Sequence, residues 1–237
     1  MANTHPFALR GLVMAHNGGF GEMGRLAEQL GRYGALVRGD TDSERYFALI
    51  IQQADACGGD VAAGLAAAAR WIAEHLPVSS LNAVLAAPDQ LWALRYPDQH
   101  ALHVIERPAG SSDTPAGSGE TRADPGDTPA GSGETRADPG DTPAGRGDTP
   151  GGPDVSSAGP GLHLRSATSS VHVPALHAAP SVVVASERMD GESGWRMLAP
   201  GELLHVRPDL SVSSAVVIDT PPRRLVPLPR GNPNIDT

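Results

Sequence analysis

The feature that most constrains the fold is a stretch of the chain, residues 109–160, that contains almost nothing able to form a hydrophobic core. It has 12 glycines and 8 prolines, and Val155 is its only large aliphatic residue. Asp113–Gly126 is repeated without change as Asp127–Gly140. A solenoid of such units is excluded because each unit would need an apolar face for stacking. We therefore predict a disordered linker here, and the core must come from the sequence on either side.

The block before the linker, residues 1–108, has helical patterns followed by strand-like ones. Met23, Leu26, Leu30 and Tyr33 repeat at helical spacing and Gly34 would end that helix. Thr41 with Glu44 is a capping-box pattern, and Asp60 precedes an alanine-rich helix that Pro77 ends. Three strand-like runs follow: Ser80–Ala86, Gln90–Tyr96 and Leu102–Arg107.

The block after the linker, residues 161–237, has no comparable helical spacing. It reads as strands, namely Ser181–Ser186, Leu203–Arg207 and Ser211–Ile218. Helices grouped first and strands later favour an α+β sandwich whose C-terminal strands complete sheets begun in residues 1–108. The linker is then tolerable if its two ends lie close together at a sheet edge, because loop length adds little to the closure entropy.

Composition narrows the class of protein and its partners. The net charge of −9 argues against a nucleic-acid partner, and all 18 basic residues are arginine, which excludes a lysine Schiff base or P-loop. No apolar stretch reaches the length of a membrane span, and the start lacks the pattern of a secretory signal. A single cysteine forms no internal disulfide, so we expect a cytoplasmic protein without a membrane partner.

Three short motifs lie in order within the first 44 residues. They are Asn3-Thr4-His5-Pro6-Phe7, His16-Asn17-Gly18, and Gly39-Asp40-Thr41-Asp42-Ser43-Glu44. Gly11–Ala15 predicts a short buried strand that ends in a glycine turn holding Asn17. A side-chain amide followed by the N–H of Gly18 is a suitable donor pair for an oxyanion. A carboxylate at Asp42, near a helix start, is suited to accept hydrogen bonds from an ammonium group. Each motif alone could be only a turn or a helix cap.

Together the motifs resemble class II glutamine amidotransferases, in particular a small, free-standing group from actinobacterial genomes. Residues 39–50 (GDTDSERYFALI), 91–97 (LWALRYP) and 183–187 (VVASE) extend the resemblance. It implies an Ntn-hydrolase-like αββα sandwich, no cofactor, and hydrolysis of glutamine or another γ-glutamyl amide to glutamate plus ammonia or an amine. It also implies that Asn17 and Gly18 form the oxyanion hole, Asp42 binds the substrate α-ammonium and His5 lines the pocket.

The resemblance also implies a nucleophile that the chain does not carry in the expected place. The family uses a cysteine at the start of the mature chain, whereas this chain begins Met1-Ala2-Asn3 and its only cysteine is Cys57. We expect the first strands and the arginine for the substrate carboxylate to be missing as well, and the chain as written to be inactive. Cys57 has no α-amino group as a base and is predicted to be structural or idle. An enzyme that accepts the ammonia, if there is one, would be a separate protein.

Two other functions and one kind of site are open at this point. A non-catalytic remnant would act only as a binding or interaction domain. Gly19-Phe20-Gly21-Glu22-Met23-Gly24 also matches a dinucleotide-binding fingerprint, which would need a second strand at Ala35–Val37. Metal binding is disfavoured because the histidines have no suitable partners, and we interpret them as isolated surface residues. These histidines are His100, His103, His163, His172 and His177.

Overall fold

The structure is a computed structural model that describes residues 3–108, 162–165, 170–173 and 179–228, the two short ranges as backbone only. The linker predicted over residues 109–160 lies outside the described residues. The helices are α1 (Met23–Leu30), α2 (Asp42–Ala56) and α3 (Val61–His75). The strands are β1 (Phe7–Leu9), β2 (Leu12–Phe20), β3 (Pro77–Ala86), β4 (Leu91–Leu94), β5 (His103–Arg107), β6 (Leu162–Arg165), β7 (Ser170–Val173), β8 (Ser181–Ala185), β9 (Arg196–Met197), β10 (Glu202–Val206), β11 (Val212–Val216) and β12 (Arg224–Leu225). No helix among the described residues is long and apolar enough to cross a membrane.

The two longer helices begin where their capping residues predict. The Thr41 hydroxyl accepts a hydrogen bond from the Glu44 N–H at 3.2 Å, and the Asp60 carboxylate accepts one from the Ala63 N–H at 2.9 Å. The Glu44 carboxylate turns back further than a capping box requires and accepts from the Gly39 N–H at 2.7 Å. Both ends of the loop before α2 are therefore tied to the helix start, which holds the first turn of α2 in place.

The strands form two main sheets and a separate hairpin. The larger sheet has the order β1-β2-β3-β4-β10-β11, with β12 pairing to β3, and the smaller has the order β8-β5-β9. Every pair is antiparallel except β12 with β3. Strands from the two ends of the sequence are direct neighbours, since β10 pairs with β4 and β8 pairs with β5. The chain leaves the small sheet at Arg107 and re-enters it at the paired position Ser181.

The core is arranged in layers. The main cluster lies between the helices and one face of the large sheet, and includes Tyr46, Ile50 and Leu65. A second cluster, with Val104 and Leu204, packs the large sheet against the small one. Helices, sheet and sheet make this the predicted α+β sandwich. Within the described ranges no second helical layer covers the outer face of the small sheet, where a third apolar cluster lies.

One strand prediction is wrong, and the second strand that the dinucleotide-binding alternative requires does not form at residues 35–37. Strand β2 does not stop at Ala15 but continues through the glycines to Phe20, because β3 pairs with it as far as Val78. Ala35–Val37 is not a strand, since residues 31–36 form a 3-10 helix. The dinucleotide-binding alternative fails with it: Gly19 lies inside an antiparallel strand, whereas the fingerprint needs a turn between a parallel strand and a helix.

Candidate functional site

Gly18 lies where β2 passes close to the backbone of β3 at Ser80. It has a φ of 150°, and a Cβ placed on it would lie 2.1 Å from the Ser80 carbonyl oxygen and 2.7 Å from the Ser80 Cβ. Its strand partner is Leu81, and Asn17 is paired with Asn82. Asn17 and Gly18 thus lie within a paired strand, and only glycine fits at position 18 because any Cβ there would clash with Ser80.

The Asn17 side chain borders a cavity of about 230 Å³ between the two sheets, lined also by Asn82, Ala101 and Ser186. Asn82 is fully engaged, because its amide donates to the carbonyls of His100 and Ala101 and its oxygen accepts from the Tyr96 N–H at 2.9 Å. Among the described residues the Asn17 side-chain amide has no hydrogen-bond partner. It is therefore free to donate to a molecule in the cavity.

Asp42, the first residue of α2, brings a carboxylate to the end of the same strand. Its Oδ2 lies 3.5 Å from the position that a Cβ on Gly19 would occupy. Its Oδ1 accepts a hydrogen bond from the Ser43 N–H at 2.7 Å. No cation within the described part of the chain forms an ion pair with Asp42. The carboxylate lies at the N-terminus of α2, where the helix dipole favours negative charge, and it is available to a ligand.

His5 is exposed, and its ring packs edge-to-face on Phe7 with a centroid distance of 4.7 Å. It is not among the residues that line the cavity between the sheets. It lies near enough to His16 for its charge to contribute to lowering the pKa of that imidazole. The structure thus brings His5 to the neighbourhood of the site, and within the described residues it forms no hydrogen bond or ion pair with Asn17 or Asp42.

The sequence motifs did not identify His16 as a buried residue that contacts both α2 and β3. The side chain is buried, its Nδ1 lies 2.9 Å from the Ser43 hydroxyl and its Nε2 lies 3.3 Å from the Ser80 carbonyl oxygen. The Tyr46 ring packs edge-to-face on it with a centroid distance of 5.3 Å. Burial lowers the pKa of His16 to about 4, against an opposing effect of the Asp42 charge. The alternation of Met14 and His16 on one face of a strand could have indicated this burial.

Two histidines predicted to lie on the surface do not. His100 and His103 are 5% and 2% exposed, and the Nδ1 atom of each has no hydrogen-bond partner. The buried Arg95 donates to the His100 carbonyl at 2.9 Å, as does the Asn82 amide at 3.1 Å, and these bonds hold the loop before β5 inward. Burial lowers the pKa of both imidazoles.

Three of the five histidines that were considered as metal ligands lie outside the part of the chain whose side chains are described. The side chains of His163, His172 and His177 are not among the described ones. Within the described ranges, no group of three or more histidine, cysteine or acidic residues is arranged to hold a metal ion.

Cys57 is far from this site. It is exposed and follows the last residue of α2, whereas Asp42 is the first residue of that helix. A helix of 15 residues is about 22 Å long. The thiol therefore lies near the opposite end of α2 from Asp42 and cannot reach a molecule bound beside Gly19.

Comparison with known proteins gives similarity of fold. No protein-family model and no curated protein matches the sequence. A predicted glutamine amidotransferase from Pseudomonas aeruginosa PA01 has a similar structure, with a TM-score of 0.53 and 16% identity over 90% of this chain and 65% of its own. A glutamine aminotransferase class-II domain protein from Silicibacter pomeroyi has a TM-score of 0.49 and 18% identity over 90% of this chain and 70% of its own.

The present chain covers 65% of the Pseudomonas aeruginosa protein, which is just under two thirds of that protein's length. At this level of identity the likeness concerns the fold. The layers of helices and antiparallel sheets agree with the Ntn-hydrolase-like sandwich that the sequence motifs implied. The chain therefore shares the α+β fold of that predicted glutamine amidotransferase.

Proposed function

We propose that the domain binds glutamine, or another γ-glutamyl amide, along the end of β2. In this proposal Asp42 accepts hydrogen bonds from the α-ammonium, and Asn17 with the Gly18 N–H faces the side-chain amide. The observation that carries it is the position of an unpaired carboxylate beside Gly19, two strand residues from the unpartnered amide of Asn17. Two residues of a strand span about 7 Å. An extended glutamine separates its ammonium group from its amide by a similar length.

The same geometry suggests what these residues would do in a reaction. Attack of a thiolate on the amide carbon gives a tetrahedral intermediate whose oxygen carries a negative charge. Donors held in advance near that oxygen lower the barrier, and the Asn17 amide and the Gly18 N–H are suited to this task. Loss of ammonia or an amine leaves a thioester, which water hydrolyses to glutamate and the free thiol. Asp42 would contribute by holding the substrate in place.

We expect the chain as written to bind without turnover, because its only thiol is about 22 Å along α2 from the site. Purified protein should release no glutamate from glutamine above the buffer rate. A diazoketone analogue of glutamine should leave Cys57 unmodified by intact-mass measurement. A general thiol reagent should modify Cys57 in the same sample, since the residue is exposed. Stoichiometric diazoketone labelling of Cys57 would make it a relocated nucleophile and overturn this expectation.

This result also bears on the second candidate function, a non-catalytic binding domain. That candidate is favoured by one specific observation: the Asn17 amide has no hydrogen-bond partner and the Asp42 carboxylate no ion pair among the described residues, while the only thiol, Cys57, lies at the far end of α2. Binding of glutamine with no turnover supports it for this chain. Turnover by a form of the protein that carries an N-terminal cysteine would support the catalytic function instead.

Binding itself is tested at Asp42. Asp42→Asn should weaken glutamine binding about tenfold to a hundredfold in calorimetric titration, because a hydrogen bond to a charged group contributes about 1.5–3 kcal/mol. Glutaramate, which is glutamine without its α-amino group, should bind the parent weakly and should bind Asp42→Asn equally weakly. This pair of ligands isolates the contact between the ammonium and the carboxylate.

The matched control is Glu44→Gln, which removes a charge from the same first turn of α2. A glutamine oxygen can still accept from the Gly39 N–H, so the loop before the helix is preserved. Glu44→Gln should keep the affinity of the parent for glutamine. Equal losses in Asp42→Asn and Glu44→Gln would attribute the effect to the helix start, and an unchanged affinity in Asp42→Asn would refute the proposal.

A further inference from the structure

The hydrogen bonds of His16 determine which of its nitrogens carries the proton. Its Nε2 lies 3.3 Å from the Ser80 carbonyl oxygen, which can only accept a hydrogen bond. Nε2 is therefore the protonated nitrogen of the neutral ring. Nδ1 is then an acceptor, and the hydroxyl proton of Ser43 is donated to it at 2.9 Å.

The ring is held in this neutral form by its surroundings. Burial between β2, β3 and α2 lowers the pKa of His16, the Asp42 carboxylate and the hydrogen bond to the Ser80 carbonyl raise it, and the neighbouring His5 and His100 rings lower it by smaller amounts. The rings of Tyr46 and Phe20, which also pack near the imidazole, carry no charge. Near neutral pH the imidazole is therefore a fixed acceptor for Ser43.

The Ser43 hydroxyl has a single proton, and this determines which hydrogen bond the Asp42 carboxylate accepts. The Ser43 hydroxyl also lies 3.3 Å from the Asp42 Oδ1, but its single proton is already donated to His16. Oδ1 instead accepts the Ser43 backbone N–H at 2.7 Å, and Oδ2 remains turned toward Gly19. Ser43 is only 5% exposed, so it is held both by packing and by its bond to β2.

These contacts join the two ends of the candidate site. His16 is adjacent to Asn17 on β2, and Ser43 is adjacent to Asp42 on α2. We propose that the hydrogen bond between His16 and Ser43 is the positioning element that sets the distance from the Asn17 amide to the Asp42 carboxylate. His16 and Ser43 are thus positioning residues for a ligand they do not touch. This inference rests on the proposed function, because the distance matters only to a ligand that spans both groups.

The first test needs no variant and no ligand. Nitrogen-15 NMR of the imidazole in the full chain should show His16 as a single neutral tautomer protonated at Nε2 between pH 6 and 8. A ring protonated at Nδ1, or a mixture of tautomers, would overturn the hydrogen-bond assignment.

The second test uses Ser43→Ala, which removes the donor with little change in volume. The Gly19 amide resonance should shift in this variant, because the start of α2, which carries the neighbouring Asp42 carboxylate, loses its hydrogen bond to β2. Glutamine affinity should fall about fivefold, and glutaramate affinity should not change. Ser43→Thr, which keeps the hydroxyl, should restore both the Gly19 resonance and the affinity. Ser193→Ala, at an exposed serine outside the site, is the control that should match the parent.

The outcomes separate this inference from the proposed function. Equal loss of both ligands in Ser43→Ala would indicate a merely structural role, and no loss of glutamine affinity would also overturn the inference. If the parent binds no glutamine at all, the proposed function fails. The tautomer and the Gly19 resonance then still decide whether His16 and Ser43 position Asp42, and an unmoved Gly19 resonance contradicts it.

Discussion

Replacing Gly18 with alanine is expected to abolish glutamine binding and to lower the free energy of unfolding by about 3 kcal/mol. The added Cβ would lie 2.1 Å from the carbonyl oxygen and 2.4 Å from the carbonyl carbon of Ser80. Both are backbone atoms of a paired strand, so the clash cannot be relieved by rotating a side chain. The φ of 150° adds strain for any residue with a Cβ. Thermal unfolding and calorimetric titration measure the two effects.

Gly19→Ala is the matched control on the next residue. A Cβ there would meet the Asp42 Oδ2 and the Ser79 hydroxyl at 3.5 Å, which is ordinary van der Waals contact. The free energy of unfolding should change by less than about 1 kcal/mol. Glutamine binding should still weaken, because the methyl group occupies the space that a ligand ammonium would use beside Asp42. If Gly18→Ala proves as stable as Gly19→Ala, the two strands are not in the close contact described.

Replacing Gly64 with valine should have the second large effect, on stability alone. Gly64 is buried in α3, where a Cβ would lie 2.6–2.7 Å from the backbone nitrogen, Cα and Cβ of Ala54 in α2. A branched side chain would force the two helices apart and disrupt the main core cluster. We expect the free energy of unfolding to fall by about 3 kcal/mol or more, since the clash is with main-chain atoms. Chemical denaturation followed by circular dichroism measures this change.

Gly24→Ala controls for the intrinsic preference of helices for alanine. Gly24 is exposed in α1, and a Cβ there would have no neighbour within 4 Å. This substitution should stabilise the protein by about 0.5–1 kcal/mol. Gly64→Ala gains the same preference and still has the clash with Ala54, so it should be destabilising. A stabilising Gly64→Ala would mean that α2 and α3 can separate at little cost.

The predictions that succeeded rest on signals contained within a few residues. The caps at Thr41 and Asp60 and the apolar spacing after them correctly predicted α2 and α3. The first helix ends earlier than Gly34 implied, because Gly31 takes a positive φ of 50° and the chain tightens into a 3-10 turn. Capping residues close to a helix determine where it begins, and they can therefore be recognised in the sequence.

The predictions that failed depend on partners distant in sequence. The glycines after Asn17 indicate a turn when taken alone, yet β3 supplies hydrogen bonds about 60 residues away and keeps the strand extended. His100 follows the polar residues Asp98 and Gln99, yet Asn82, 18 residues earlier, and the buried Arg95 donate to its carbonyl and hold its backbone inward. No period or motif in the sequence encodes these pairings.

The candidate site shows the same division. Short motifs predict Asn17, Gly18 and Asp42 as site residues, and in the structure Asp42 lies beside Gly19 on the strand that carries the other two. The contact between His16 and Ser43 joins residues 27 positions apart. The sequence does not predict this contact, because it depends on how α2 packs against β2. The roles of these residues in binding remain proposals that the experiments above test.

The pairing of Arg107 with Ser181 has a consequence for how this gene can change. The two positions are neighbours across a ladder, so the number of residues between them hardly affects the free energy of closing that loop. Gain or loss of one whole 14-residue unit preserves the reading frame and leaves both anchoring strands in register. Natural alleles that differ in the copy number of this unit are therefore expected to share one core and one candidate site.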